Sequence, residues 1–193
     1  MILYIVIICC AVLLITASVT LATGAGFFSI FGLTWFAVLI VVFIDGLTAT
    51  VCRLLPERCA NHEKKIFQVS AKEKRFYEKL KIRQWKDKIP EIGQFTGFRK
   101  NKIADPKSLE YVDRYLLEVC YGELGHLTSV FTSFLLLLFF PLSRFWLVVA
   151  IPVAFISALL NLPSLVILRY NSYKLEFLRK SNLKRQQKST ETV

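Results

Sequence analysis

Residues 134–160 read FLLLLFFPLSRFWLVVAIPVAFISALL, a run with one charge, Arg144. A helix that crosses a bilayer needs about 20 mostly apolar residues. Pro141 to Phe145 divides the run, so Thr128–Pro141 reads as one span and Phe145–Leu168 as the next. Two more lie upstream, Met1–Thr23 and Ser29–Cys52, the second interrupted by Asp45. A chain of 193 residues that is 54% hydrophobic could build one soluble core. Here the apolar residues are gathered into long runs instead. The expected fold class is an all-α integral membrane protein with about four transmembrane helices. A cytoplasmic amphipathic, basic helical segment separates spans two and three.

The first run lacks the basic start of a signal peptide, and its apolar core exceeds the roughly 7–15 residues of a signal h-region. It reads as an uncleaved span. Cleavage near Thr23-Gly-Ala-Gly26 would leave three spans. Of the 25 Lys and Arg, 17 fall between Arg53 and Arg114 and 7 between Arg169 and Lys188. Basic residues near spans mark the cytoplasmic side, which places the middle segment, the tail and both termini inside. The expected parts are therefore a transmembrane hairpin over 1–52, a basic amphipathic segment over 53–120, a second transmembrane hairpin over 121–171, and a basic cytoplasmic tail over 172–193.

The net charge of +11 suits anionic headgroups, which attract basic juxtamembrane residues. No zinc-finger, RNP or recognition-helix pattern favours nucleic acid. The five cysteines form no CxxC and no Cys/His quartet, so a structural zinc site is not expected. Cys52 reads as a small apolar residue at a membrane border rather than an acylation site.

In the polar middle, Glu63–Lys88 reads as helix with a break near Lys81. Pro90, Gly93 and Gly97 mark a loop, and Asp105-Pro106 opens a further helix with Asp105 as its cap. In the last span Pro163 removes a backbone donor and is expected to kink the helix. Asn161, an amide beside that kink, should face a helix or a cavity.

Chemistry is most concentrated where the polar middle meets the third span. Glu123 and His126 stand three residues apart, on one face of a helix. An unperturbed imidazole titrates near 6.5 and can take and return a proton near neutral pH. A carboxylate beside it could orient the ring. Glu-x-x-His is also half of a di-iron carboxylate site, but no second such motif exists; His62 has no Glu three residues before it. Ser129 and Ser133 lack a nucleophile-elbow context and read as packing hydroxyls. Asp45 reads either as a bundle-facing acid or as a polar helix end. Arg83, Lys86, Lys88 and Arg169 could hold a phosphate or diphosphate, with Arg169 the strongest case for a fixed partner because it follows Ser164-Leu-Val-Ile-Leu168.

Three stretches in order, Lys81-Ile-Arg-Gln-Trp-Lys-Asp-Lys-Ile-Pro-Glu91, Glu123-Leu-Gly-His126, and Asn161-Leu-Pro163 followed by Arg169-Tyr-Asn171, resemble the glycosyl-diaponeurosporenoate acyltransferases. These are small bacterial membrane enzymes that finish staphyloxanthin-type carotenoids. The resemblance spans roughly residues 55–180, including Leu55-Pro56, and departs at Leu127 and Ser172. It implies transfer of a fatty acyl group to a sugar hydroxyl of a glycosylated carotenoid or related glycolipid. His126 and Glu123 would be the catalytic pair, and Arg83, Trp85, Lys86, Asn161, Arg169, Tyr170 and Asn171 the substrate-binding set. No cofactor or metal is implied beyond acyl-CoA or another activated acyl donor as co-substrate. Membrane lipids, the glycosylated acceptor and the donor are the partners, and the bacterial cell membrane is the location. Two other classes stay open: an isoprenoid- or lipid-modifying methyltransferase or reductase, for which no Gly-rich nucleotide fingerprint is present, and a non-catalytic membrane scaffold.

Overall fold

The computed structural model describes residues 2–89, 103–139 and 143–191, and among these every regular element is helical. In chain order the α-helices are α1 (Ile2–Thr23), α2 (Phe27–Leu54), α3 (Ala71–Lys79), α4 (Ile82–Trp85), α5 (Leu109–Thr132) and α6 (Trp146–Glu191). Short 3₁₀ turns lie at Glu57–Cys59 and Lys86–Lys88, and a longer one at Ser133–Leu138 continues α5. The expected Pro90–Gly97 loop and the Pro141 turn lie outside the described residues.

Two compact units make up the chain. One is Met1–Arg53 with Gly125–Pro163, and the other is Leu54–Leu124 with Ser164–Val193.

The first unit is apolar. Ile15 and Val19 of α1, Ile30, Ala37 and Val41 of α2, and Trp146, Val149, Ala150, Val153 and Ala154 of α6 form its core with Leu136. The fully buried alanines Ala37, Ala150 and Ala154 let backbones approach closely, the usual device where van der Waals contact drives helix association in lipid. Hydroxyls add cross-links: Thr16 to Thr34 at 3.5 Å, and Thr48 to Thr132 at 3.0 Å. Cys52 is buried with its sulfur 3.9 Å from the Thr128 hydroxyl, which suits a packing residue rather than an acylation site. Leu14, Leu21, Phe28, Leu39 and Phe43 project outward, exposed. Side chains of that kind along whole helices need a lipid surround rather than water.

Among the described residues, three helices are long and apolar enough to cross a membrane: Leu3–Thr23, Phe27–Leu54 and Trp146–Lys188. Four were expected. The difference lies at the run from Thr128, where the α-helix stops at Thr132 and a 3₁₀ segment follows. The α-helical part of that run is too brief to reach the length of about 20 residues on its own. The helical assignment of α6 continues through Pro152 and Pro163.

The second unit has a conventional amphipathic core. Val112, Tyr115, Leu116 and Val119 follow the i, i+3, i+4, i+7 spacing of a buried helical stripe and pack with Leu175. Gly122 permits close contact with α6: a Cβ there would stand 2.9 Å from Leu168 Cδ1. Tyr77 and Ile82 pack with Ile167 and Tyr170, beside Trp85, while Ala60 and Phe67 pack with Cys120. Polar ties fix the ends of these contacts. Arg179 Nε donates to Asp113 at 2.6 Å, Asn182 Nδ2 to the Pro106 carbonyl at 2.9 Å, and His62 pairs with Glu176.

Two helix starts differ from expectation. The stretch after Glu63 is turns, and α3 begins only at Ala71, where Ser70 Oγ accepts from the Glu73 N–H at 3.1 Å. The break near Lys81 is present: this residue separates α3 from α4 with φ of 53°, in the left-handed region. Asp105 accepts from the Lys107 and Ser108 N–H groups at 3.2 Å, closing a turn rather than capping a helix. Ser108 Oγ takes the Tyr111 N–H at 3.1 Å, and α5 starts at Leu109. A hydroxyl one residue before the helix reaches the third amide, and Asp105 is too far upstream to do so.

Candidate active site

Within the first unit, three helices contribute polar groups to one partly buried chain. Asp45 comes from α2, His126 and Ser129 from α5 with Ser133 just after it, and Ser157 and Asn161 from α6. Ser157 and Asn161 are four residues apart, so α6 presents them on one face. Ser133 Oγ lies 2.7 Å from the Ser129 carbonyl and 3.0 Å from Ser157 Oγ. Ser157 donates to Asp45 Oδ2 at 2.9 Å. Asn161 Nδ2 lies 3.1 Å from the Ser157 carbonyl and 3.4 Å from Asp45 Oδ2, while Asn161 Oδ1 is 2.9 Å from His126 Nδ1.

The orientation of Asn161 follows from chemistry. A backbone carbonyl only accepts, so the side facing Ser157 must be the amide nitrogen. The opposite side is then the amide oxygen, which also only accepts. His126 Nδ1 must therefore carry a hydrogen, and in the neutral ring Nε2 is left bare as an acceptor of protons. Asn161, expected to touch substrate, is the residue that holds the ring. Sequence reading had given that task to Glu123.

Glu123 belongs to a second cluster, in the other unit. Its side chain is 2% exposed, and Oε2 accepts from Arg169 Nη1 at 3.1 Å. Arg169 also grips Glu73 with two parallel bonds, Nε to Oε1 at 2.6 Å and Nη2 to Oε2 at 3.2 Å, and reaches the Ile66 carbonyl at 2.8 Å. Tyr77 donates to the same Glu73 oxygen that Arg169 Nε holds. Arg169 does have a fixed partner, but the partner is internal. Its planar fork is filled by two carboxylates rather than left open for a phosphate.

Two carboxylates face one guanidinium, so one negative charge is surplus. Burial pushes Glu123 up to about 8 against the pull of Arg169, with Glu73 adding to the rise. Burial alone would raise Glu73 as well, but the Arg169 and Tyr77 hydrogen bonds bring it below the usual carboxylate value. Tyr77 is in turn pushed up to about 12 by burial and by the Glu73 charge. The proton shared within this cluster rests on Glu123, whose Oε1 is buried without a hydrogen-bond partner and is free to carry it.

The remaining expected binding residues are partly gathered. Arg83 Nε donates to the Tyr170 hydroxyl at 2.8 Å and keeps most of its side chain exposed. Trp85 packs in the cluster that contains Tyr170, with its ring nitrogen 2.9 Å from the Leu80 carbonyl. Lys86 follows in the 3₁₀ turn, and Asn171 is buried. Among the described residues, no three of His, Cys, Asp and Glu converge as metal ligands. Ser157 was not singled out in the sequence, and Asp45, read as a bundle-facing acid or a polar helix end, was not included among the expected site residues. The available signal was one acid inside an apolar run, together with a Ser four residues before Asn161.

A family model described as glycosyl-4,4'-diaponeurosporenoate acyltransferase matches residues 62–181, more than half of the chain. That stretch contains His126, Asn161, Glu73, Glu123 and Arg169 but not Asp45. Neither a curated protein nor a solved structure matches. The chain belongs to the glycosyl-4,4'-diaponeurosporenoate acyltransferase family, and it is an acyltransferase.

Proposed function

We propose that this acyltransferase moves a fatty acyl group from an activated donor, an acyl-CoA, to a sugar hydroxyl of a glycosylated carotenoid acid, with His126 as general base. The observation that carries the catalytic part is the 2.9 Å contact of His126 Nδ1 with Asn161 Oδ1, which leaves Nε2 free to act. A sugar hydroxyl is a poor nucleophile at neutral pH. Nε2 takes its proton as the oxygen attacks the thioester carbon. The tetrahedral intermediate collapses with loss of the carbon–sulfur bond, and the imidazolium returns the proton to the departing thiolate. Alcohol and thioester become ester and thiol, with nothing left over.

The exposed guanidinium of Arg83 and the nearby Lys86 supply positive charge for the donor's phosphates. The Arg169 cluster acts as a structural tie in this account and leaves donor recognition to those residues. The Lys and Arg distribution supports a chain with four passes, the third through the run from Thr128, with residues 53–120 and the tail in the cytoplasm.

Product analysis tests the substrate assignment. Membranes containing the protein, given a glycosylated carotenoid acid and a labelled acyl-CoA, should yield a carotenoid glycoside heavier by one acyl group. Label transferred only to another glycolipid would overturn the carotenoid acceptor while leaving the acyl-transfer chemistry in place.

A further inference from the structure

The polar chain that ends on His126 begins on a residue outside the stretch matched by the family model. In the sequence of the first unit, Asp45 is the sole carboxylate and His126 the sole histidine. The other ionisable side chains there are Tyr4, Cys9, Cys10, Cys52, Arg53 and Arg144. An acid inside a long apolar helix is expensive and is normally kept for a task. Asp45 is turned inward, and its Oδ2 receives Ser157 Oγ at 2.9 Å and Asn161 Nδ2 at 3.4 Å.

We propose that Asp45 is a positioning residue: acting through Asn161 and Ser157, it fixes the His126 ring with Nδ1 protonated and Nε2 bare. This rests on the reading of His126 as the base. An amide has two ends, and only one orientation offers the ring an acceptor. The Ser157 carbonyl favours that orientation by taking one hydrogen of Nδ2. Asp45 takes the other, so rotating Asn161 would cost both bonds and set the amide oxygen against a carboxylate. Ser133 Oγ supports this arrangement from behind, donating to Ser157 Oγ at 3.0 Å.

With only two histidines in the chain, the test is direct. Protein with ¹⁵N-labelled histidine in lipid nanodiscs, on a His62→Gln background, reports the His126 ring alone. His62 pairs with Glu176 in the other unit and takes no part in the proposed chemistry. The expected parent spectrum has a protonated Nδ1 and a bare Nε2. Asp45→Leu should give a mixture of tautomers and lower kcat about tenfold or more, as expected when a ring nitrogen is wrongly protonated, with the acyl-CoA KM within about twofold. Asp45→Asn keeps an acceptor oxygen in place and should restore the single tautomer and most of the rate.

A parent spectrum with Nε2 protonated overturns the proposal without any variant of Asp45, so a misfolded Asp45→Leu protein does not shield it. An Asp45→Leu protein with the parent's tautomer and kcat overturns it too. Failure of the underlying reading looks different. In that case His126→Gln keeps its turnover, whatever the ring nitrogens of the parent show.

Discussion

Arg169 carries one positive charge between two carboxylates, and that imbalance sets what the residue can do. Arg169→Lys keeps the charge but loses the fork that grips Glu73. The expected result is a loss of about 1–3 kcal/mol in stability, seen as a lower melting temperature, with the acyl-CoA KM unchanged. A raised KM at unchanged stability would instead make Arg169 a donor anchor. Glu123 gives a pH signature. Folding holds a proton on its carboxyl up to about pH 8, whereas the unfolded chain releases it near 4.5. The folded state then binds more protons than the unfolded one in that window. Stability from this group is full below about 4.5 and declines as pH rises to about 8. Glu73, held below its ordinary value, works the opposite way in acid. Glu123→Gln should flatten the decline between about pH 5 and pH 8, measured by thermal unfolding across that range; an unaltered slope would show that Glu123 is already ionised.

At the scale of elements, the spacing of apolar residues told more than the capping residues did. A helix after Asp105-Pro106 was expected and is present as α5, and its stripe of Val112, Tyr115, Leu116 and Val119 forms a core with Leu175. Leu116 is fully buried there, so Leu116→Ala should cost about 2–5 kcal/mol in stability. A loss under about 0.5 kcal/mol would mean that this stripe is not the core of its unit. Helix starts were less legible. Asp105 and Ser108 both have the right chemistry for a cap, and only the backbone path decides that Ser108 Oγ reaches the Tyr111 amide. The same limit applied after Glu63, where a charged, helix-favouring composition forms turns until Ser70 caps α3. Within the run from Thr128, apolar character was plain, but the change from α-helix to 3₁₀ at Ser133 carries no periodic signal.

For the whole molecule, the long apolar runs and the clustering of Lys and Arg made a helical membrane protein readable from the sequence. The polar cluster proposed as the site was only partly legible. His126 stood out because it is an ionisable group at the edge of an apolar run. Its partner did not, because Asn161 lies 35 positions away on another helix while Glu123 lies three positions away on the same one. Proximity along the chain pointed to Glu123, whereas the group hydrogen-bonded to the ring is Asn161. Asp45 was more distant still. The topology has its own test: cysteines placed at residues 26 and 144 should react with an impermeant reagent outside the cell, and one at residue 100 should not. Labelling of residue 100 from outside would reverse the orientation.

The central claim is that His126 is the base, and turnover of His126→Gln tests it most directly. Glutamine keeps a hydrogen-bonding group of similar reach and cannot shuttle the proton. With wild-type melting temperature and membrane yield as controls, kcat for acyl transfer should fall by about 10²–10⁴-fold. A His126→Gln enzyme that turns over near the wild-type rate would contradict the account.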